Sequence, residues 1–205
     1  MKKLYAALAL LFFPCMALAQ EIPIYLDTGA EIGFVNFSTF QIDDDVTDAC
    51  WTNSKTIQSL VRLSFEQNDV PILDYKPAWY ATNVVHTELE AIGFRTSSSN
   101  CAVHAAFKVA TRVNARFGGA EGRPLFSASY VASVFERSAI FTNSRNVNEQ
   151  LRDFFEGASS EFLALVLSSR RDKNVISFKS AYPHFANKPL SEEEWREMSE
   201  EATRE

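Results

Sequence analysis

CAVHAAFKVATRVNARF, residues 101–117, is the stretch that decides the fold. Cys101, Val103, Ala105, Phe107, Val109, Thr111, Val113, Ala115 and Phe117 alternate with polar or small residues, the period of two that a strand with one buried face requires. Gly118, Gly119, Gly122 and Pro124 supply a loop. Leu125 to Phe141 then returns with Phe126, Ala128, Tyr130, Ala132 and Val134 on one face, so residues 101–141 predict a long antiparallel hairpin.

Working upstream, Val84 to Arg95 reads as a second long strand, reversed at Thr96 to Asn100. Pairing it back on residues 101–117 sets His86 opposite about residue 110, far along the sheet from His104. A first strand, rich in phenylalanine, is predicted over Ile32 to Ile42 and ends at Asp43, Asp44 and Asp45, which read as a solvated strand-to-helix loop. Ile57, Leu60, Val61 and Phe65 give a helix over about 52–67, and Ile72 to Tyr75 a short strand.

Downstream, Asn146 and Glu149 form a capping-box signature. Leu151, Phe154, Phe155, Ala158, Phe162, Leu165 and Val166 then fall on one face of a helix over about 147–170, closed by Arg170 and Arg171 as the helix dipole favours. Val175 to Phe178 is assigned to a short edge strand. A last, charged helix is marked by Ser191 with Glu194 as a capping box and Leu190 with Trp195 as a staple.

The fold class that follows is α/β of the α+β type. A single, mainly antiparallel sheet carries the hairpin, two main helices pack on one of its faces, and a charged C-terminal helix follows. The domain reading is a leader over 1–19, one domain over 20–190 and an acidic helix or tail over 191–205. At the level of element order alone the chain is similar to small periplasmic α/β domains of envelope-assembly accessory proteins.

The amino terminus sets the address. Lys2 and Lys3, an apolar run from Leu4 to Met16 and then Ala17-Leu18-Ala19 read as a secretory signal peptide cut after Ala19, too short for a membrane span. Phe13-Pro14 before Cys15 are unlike the small residues of a lipidation site. The expected location is the periplasm, with secretion the alternative and no integral span after cleavage. Past the leader only Cys50 and Cys101 remain, and in an oxidising compartment they are expected to pair with each other. They lack the spacing of a redox pair, and with three scattered histidines they do not make a metal set.

Net charge is −6, and residues 191–205 hold seven glutamates against Arg196 and Arg204, so nucleic acid is not an expected partner. On the polar face of the long strand His104, Lys108, Arg112 and Arg116 recur every fourth residue as a basic stripe. It is a candidate surface for an anionic ligand or an acidic partner, and one that the acidic tail is placed to mask. Trp79, Tyr80, Tyr182 and Phe185, in loops beside Pro77 and Pro183, are candidate contact aromatics. Asp43, Asp44, Asp45 and Asp48 lack the alternation and turn glycine of a calcium loop, and Gly118 to Gly122 precedes a strand, whereas phosphate cradles open helices. No residue is assigned as catalytic, and no metal or cofactor is expected. The functional expectation is therefore a non-enzymatic, disulfide-bonded, exported interaction or envelope-accessory protein that meets an envelope or secreted protein partner or an anionic ligand, its oligomeric state open. The alternative is a periplasmic ligand-binding protein or hydrolase with a dispersed site.

Overall fold

The computed structural model describes residues 31–74, 83–97, 100–117, 126–143 and 146–183, together with Ser191, Glu193, Glu194, Arg196 and Glu197. A 3-10 turn, Glu31–Phe34, leads into β1, Phe37–Val46; α1, Ser54–Gln67; β2, Val84–Arg95; β3, Cys101–Phe117; β4, Phe126–Asn143; α2, Val147–Ser169; and α3, Lys173–Ala181. The four strands form one open sheet in the order β1-β2-β3-β4. The leader, the tail beyond Glu197 and the loops carrying Gly118 to Gly122, Trp79, Tyr80 and Phe185 lie outside the described residues.

The hairpin forms as the alternation requires. Cys101 pairs with Asn143, Phe117 pairs with Phe126, and one irregularity between Val109 and Ala110 leaves Val134 without a partner on β3. β2 pairs antiparallel with β3, and His86 does face Ala110. The mainly antiparallel sheet needs correction, because β1 runs parallel to β2 from Phe37 opposite Val84 to Val46 opposite Gly93. The sheet is mixed. α1 lies between these two strands, and a helix-length crossover is the connection that parallel neighbours need. Two further boundaries move. Asp43, Asp44 and Asp45 belong to β1, opposite Glu90, Ala91 and Ile92, where charged side chains on an edge strand discourage pairing with other chains. Val175 to Phe178 lies inside α3, which Asp172 caps by accepting a 2.7 Å hydrogen bond from the Asn174 N–H. A four-residue apolar run carries no period that separates strand from helix. The Ile72 to Tyr75 strand reduces, in its described part, to one parallel bridge between Ile72 and Ser38.

The core lies between the helices and one face of the sheet. Ile57, Val61 and Phe65 on α1 and Leu151, Phe155, Ala158, Phe162 and Val166 on α2 are fully buried against Leu89, Ala91, Val103, Ala105, Phe107 and Val109. Phe65 stacks on Phe162 at 5.8 Å between centroids, Phe162 meets Phe135 at 5.7 Å, and Phe135 meets Phe107 at 5.9 Å. Leu60 and Leu165, expected on the buried faces, are 37% and 41% exposed. Phe154 is half-buried at the rim, edge-on to Phe141. Asn146 is the N-cap of α2 but makes no side-chain capping bond, whereas the Ser191–Glu194 box does form: Ser191 N–H donates to Glu194 Oε2 at 2.6 Å, and Glu194 N–H to Ser191 Oγ at 3.3 Å.

Arg170 takes an unexpected role. Its guanidinium leaves its own helix and donates to the carbonyls of Asp69 and Val35, both at 2.9 Å, so it closes the carboxyl end of α1 and ties the 3-10 turn to it. Cys50 and Cys101 are joined with their Cα atoms 5.9 Å apart, fixing the β1–α1 loop to the first residue of β3. On the chain-entropy view that bond contributes about 4 kcal/mol. Just before it, Asp48 and Ala49 hold φ of 60° and 57°, a left-handed pair that costs about 1–2 kcal/mol per residue.

Phe155→Ala is expected to cost about 3–5 kcal/mol in urea denaturation, since it empties the centre of the helix–sheet layer. Gly157→Ala should instead stabilise by about 0.5–1 kcal/mol, because a Cβ there meets nothing within 4 Å. Gly93→Ala should destabilise strongly, because its Cβ would sit 2.5 Å from the Ala102 carbonyl oxygen.

Candidate functional site

The alternation that buries one face of the sheet displays the other. Opposite the helices, β1 presents Thr39, Gln41, Asp43 and Asp45; β2 presents His86, Glu88, Glu90, Ile92 and Phe94; β3 presents Ala102, His104, Ala106, Lys108, Ala110 and Arg112; β4 presents Glu136, Ser138, Ile140 and Thr142. Helices α1 and α2 both pack on the other side. Ile92, Phe94 and Ile140 on this face are 48%, 58% and 73% exposed, and Val131, opposite Arg112, is 55% exposed, whereas Thr39 is 6% exposed.

Register sorts these side chains into rows across all four strands. Gln41, Glu88, Lys108 and Glu136 form one row; Asp43, Glu90, Ala106 and Ser138 the next; Asp45, Ile92, His104 and Ile140 the third; Phe94, Ala102 and Thr142 complete the open end. The first two rows are ionic. Lys108 Nζ is in close contact with Glu90 Oε2, and that hydrogen bond, aided by the charges of Glu88 and Glu136, holds the ammonium above its ordinary range against partial burial. Burial raises the Glu88 carboxyl, and a hydrogen bond with Asp43 raises it further, only partly offset by Lys108. At the closed end His86 Nδ1 meets Thr39 Oγ1 at 2.9 Å. Burial lowers the imidazole's pKa, and the Asp43 charge opposes this. Thr39 is buried and also within 3.5 Å of the Val85 carbonyl, so this hydroxyl anchors β1 to β2 and offers no nucleophile to solvent.

The predicted stripe is therefore a real file along β3, but set among acids. His104, Lys108 and Arg112 share the face, with His104 exposed in the apolar row and Lys108 paired; Arg116 opposes Ser127 in register, and its side chain lies outside the described residues. Tyr182, 44% exposed, stands apart with its ring 4.7 Å from Phe178 of α3. The signal for Glu88 and Glu90 was within reach, because the pairing that sets His86 opposite residue 110 also sets Glu88 opposite Lys108. Among the described residues no group of three His, Cys, Asp or Glu side chains is arranged to hold a metal, and no helix is long and apolar enough to cross a membrane.

No family model and no curated protein matches this chain. Among solved structures it is similar to the PelC dodecamer from Paraburkholderia phytofirmans, at 13% identity and a TM-score of 0.31, over 65% of this chain and 88% of that one. A likeness at that level does not reach the site, which is read from its own residues.

On the helix side a shallow groove of about 210 Å³ between α1 and α2 is lined by Leu60, Leu63, Ser64, Gln67, Glu156 and Ser159 among others. It gathers one carboxylate and no base, a poor set for chemistry.

The open face sets two opposed pH dependences. His86, whose folded pKa lies below 6.5, contributes stability that is present above pH 6.5 and lost as pH falls through its folded value, because the unfolded chain takes the proton first. Glu88, whose folded pKa lies above 4.5, contributes stability that is present below pH 4.5 and lost as pH rises through its folded value. Urea midpoints measured across this interval should therefore fall more steeply with rising pH in His86→Gln, and rise more steeply in Glu88→Gln, than in the native protein.

Proposed function

We propose that this is an exported, non-enzymatic interaction protein of the cell envelope, held by its Cys50–Cys101 bond, that meets a protein partner with the face of its sheet opposite α1 and α2. The observation that carries the reading is the open end of that face. Ile92, Phe94 and Ile140 are 48%, 58% and 73% exposed around His104, a cluster of large apolar side chains of the kind that marks a contact surface. The ionic rows beside it give the surface a charge pattern that selects partners without closing round a small ligand. The disulfide suits the oxidising compartment to which the leader points. The site combines ion pairs and apolar contact area, and this is the chemistry of recognition.

Mass spectrometry of the protein from a cell envelope fraction should give a chain beginning at Gln20 with no alkylatable thiol. Crosslinked capture from periplasmic extract should fall at least about tenfold for Phe94→Asp with Ile140→Asp, the loss expected when contact anchors are removed, and persist for Leu63→Asp on the helix side. Equal capture by all three proteins would overturn the assignment of the sheet face, and a retained leader would overturn export.

A further inference from the structure

We infer that the partner of this face is a second copy of the same chain, the two sheets packing face to face about a twofold axis that runs along the strands between β2 and β3. This deepens the reading just given and rests on it. Such an axis lays every β2 residue over the position of its own β3 neighbour in the other copy, and every β1 residue over β4. The register fixes the consequences. Glu88 falls over Lys108 of the second copy, Glu136 over Gln41, Glu90 over Ala106, Asp43 over Ser138 and Asp45 over Ile140. None of these five carboxylates lies over another, and Glu88, beside the acids of its own row, gains a cation. Ile92 packs over His104, and Phe94 over the small Ala102, which leaves room for the ring. An axis above β2 alone would put Glu88 on Glu88 and Glu90 on Glu90, which the axis between β2 and β3 avoids.

Aligned sheets stack about 10 Å apart, within reach of paired Glu and Lys side chains. Four strands about 4.8 Å apart and four rows deep at about 3.4 Å per residue give a face of about 400 Å². That is roughly half of the ~800 Å² per partner typical of a stable complex, so the dimer is weak and reversible.

Sedimentation velocity of the purified, disulfide-intact protein up to its solubility limit should show a reversible monomer–dimer equilibrium. Phe94→Asp should weaken it at least about tenfold, as should Glu88→Lys, which sets like charges face to face. Adding Lys108→Glu to Glu88→Lys restores the opposite-charge pairing across the axis and should recover dimerisation, with thermal melts confirming that every variant is folded. Leu63→Asp should dimerise normally. A protein that stays monomeric, or a dimer indifferent to these substitutions, overturns the inference. A monomer whose Phe94→Asp variant loses envelope capture overturns self-pairing while leaving the proposed function in place.

Discussion

Phe65, Phe162, Phe135 and Phe107 form a continuous chain of rings, each pair 5.7–5.9 Å between centroids, that runs from α1 through α2 into β4 and β3. Three of them are fully buried. This chain commits both helices to the same face of the sheet. Once it does, Val85, Leu89 and Ala91 of β2 and Val103, Ala105, Phe107 and Val109 of β3 are core, and His86, Glu88, Glu90, His104 and Lys108 fall on the opposite face. Trp51, stacked on Phe155 at 5.7 Å, extends the ring packing to the foot of α1, and the disulfide beside it anchors that end to β3. Remote contacts set the rest of the helix layer: Val175 packs against Gly33, so α3 is held by the 3-10 turn, and Arg170 bridges that turn to the end of α1.

Much of this was legible where a periodic signal ran long. The alternation of Cys101 to Phe117 and the helical spacing of Leu151, Phe155, Phe162 and Val166 found their elements, and the pairing of the two cysteines followed from the expected compartment and from count. Short or mixed signals misled. Val175 to Phe178 is too brief to show a period, and the run at Asp43 to Asp45 reads as a loop because three acids have poor strand propensity. They are nonetheless held in β1 by pairing with β2, since tertiary context overrides local preference. The direction of β1 was missed for a different reason: pairing in an edge strand depends on how α1 returns the chain, which composition does not record. Arg170 looked like a dipole partner of its own helix, and only the fold reveals that the carbonyls of Asp69 and Val35 are closer.

The site illustrates the same limit. Read along β3, His104, Lys108 and Arg112 form a basic file. Read across the sheet, Lys108 stands between Glu88 and Glu136 and contacts Glu90. A strand's own sequence states which residues share a face, but the electrostatic character of that face belongs to the neighbours, because lateral spacing of about 4.8 Å brings them nearer than residues four apart on the same strand, about 13.6 Å away. Charge patterns on sheets therefore have to be read in two dimensions, after register.

That two-dimensional pattern also limits what can cover the face. A flat apolar surface laid over it would strip water from Glu88, Glu90 and Lys108, and the contact of Lys108 with Glu90 would leave the remaining carboxylate oxygens unsatisfied, a desolvation cost that such pairs seldom recover. A uniformly basic surface would satisfy the acids but press cations onto Lys108 and Arg112. A complementary cover has to bring a cation to Glu88 at the spacing of the strands and present small or apolar groups to Phe94. The sheet itself meets that description, because the rules that make neighbouring strands compatible within one copy, opposite charges abreast and large beside small, apply again when the same rows face each other across a twofold axis.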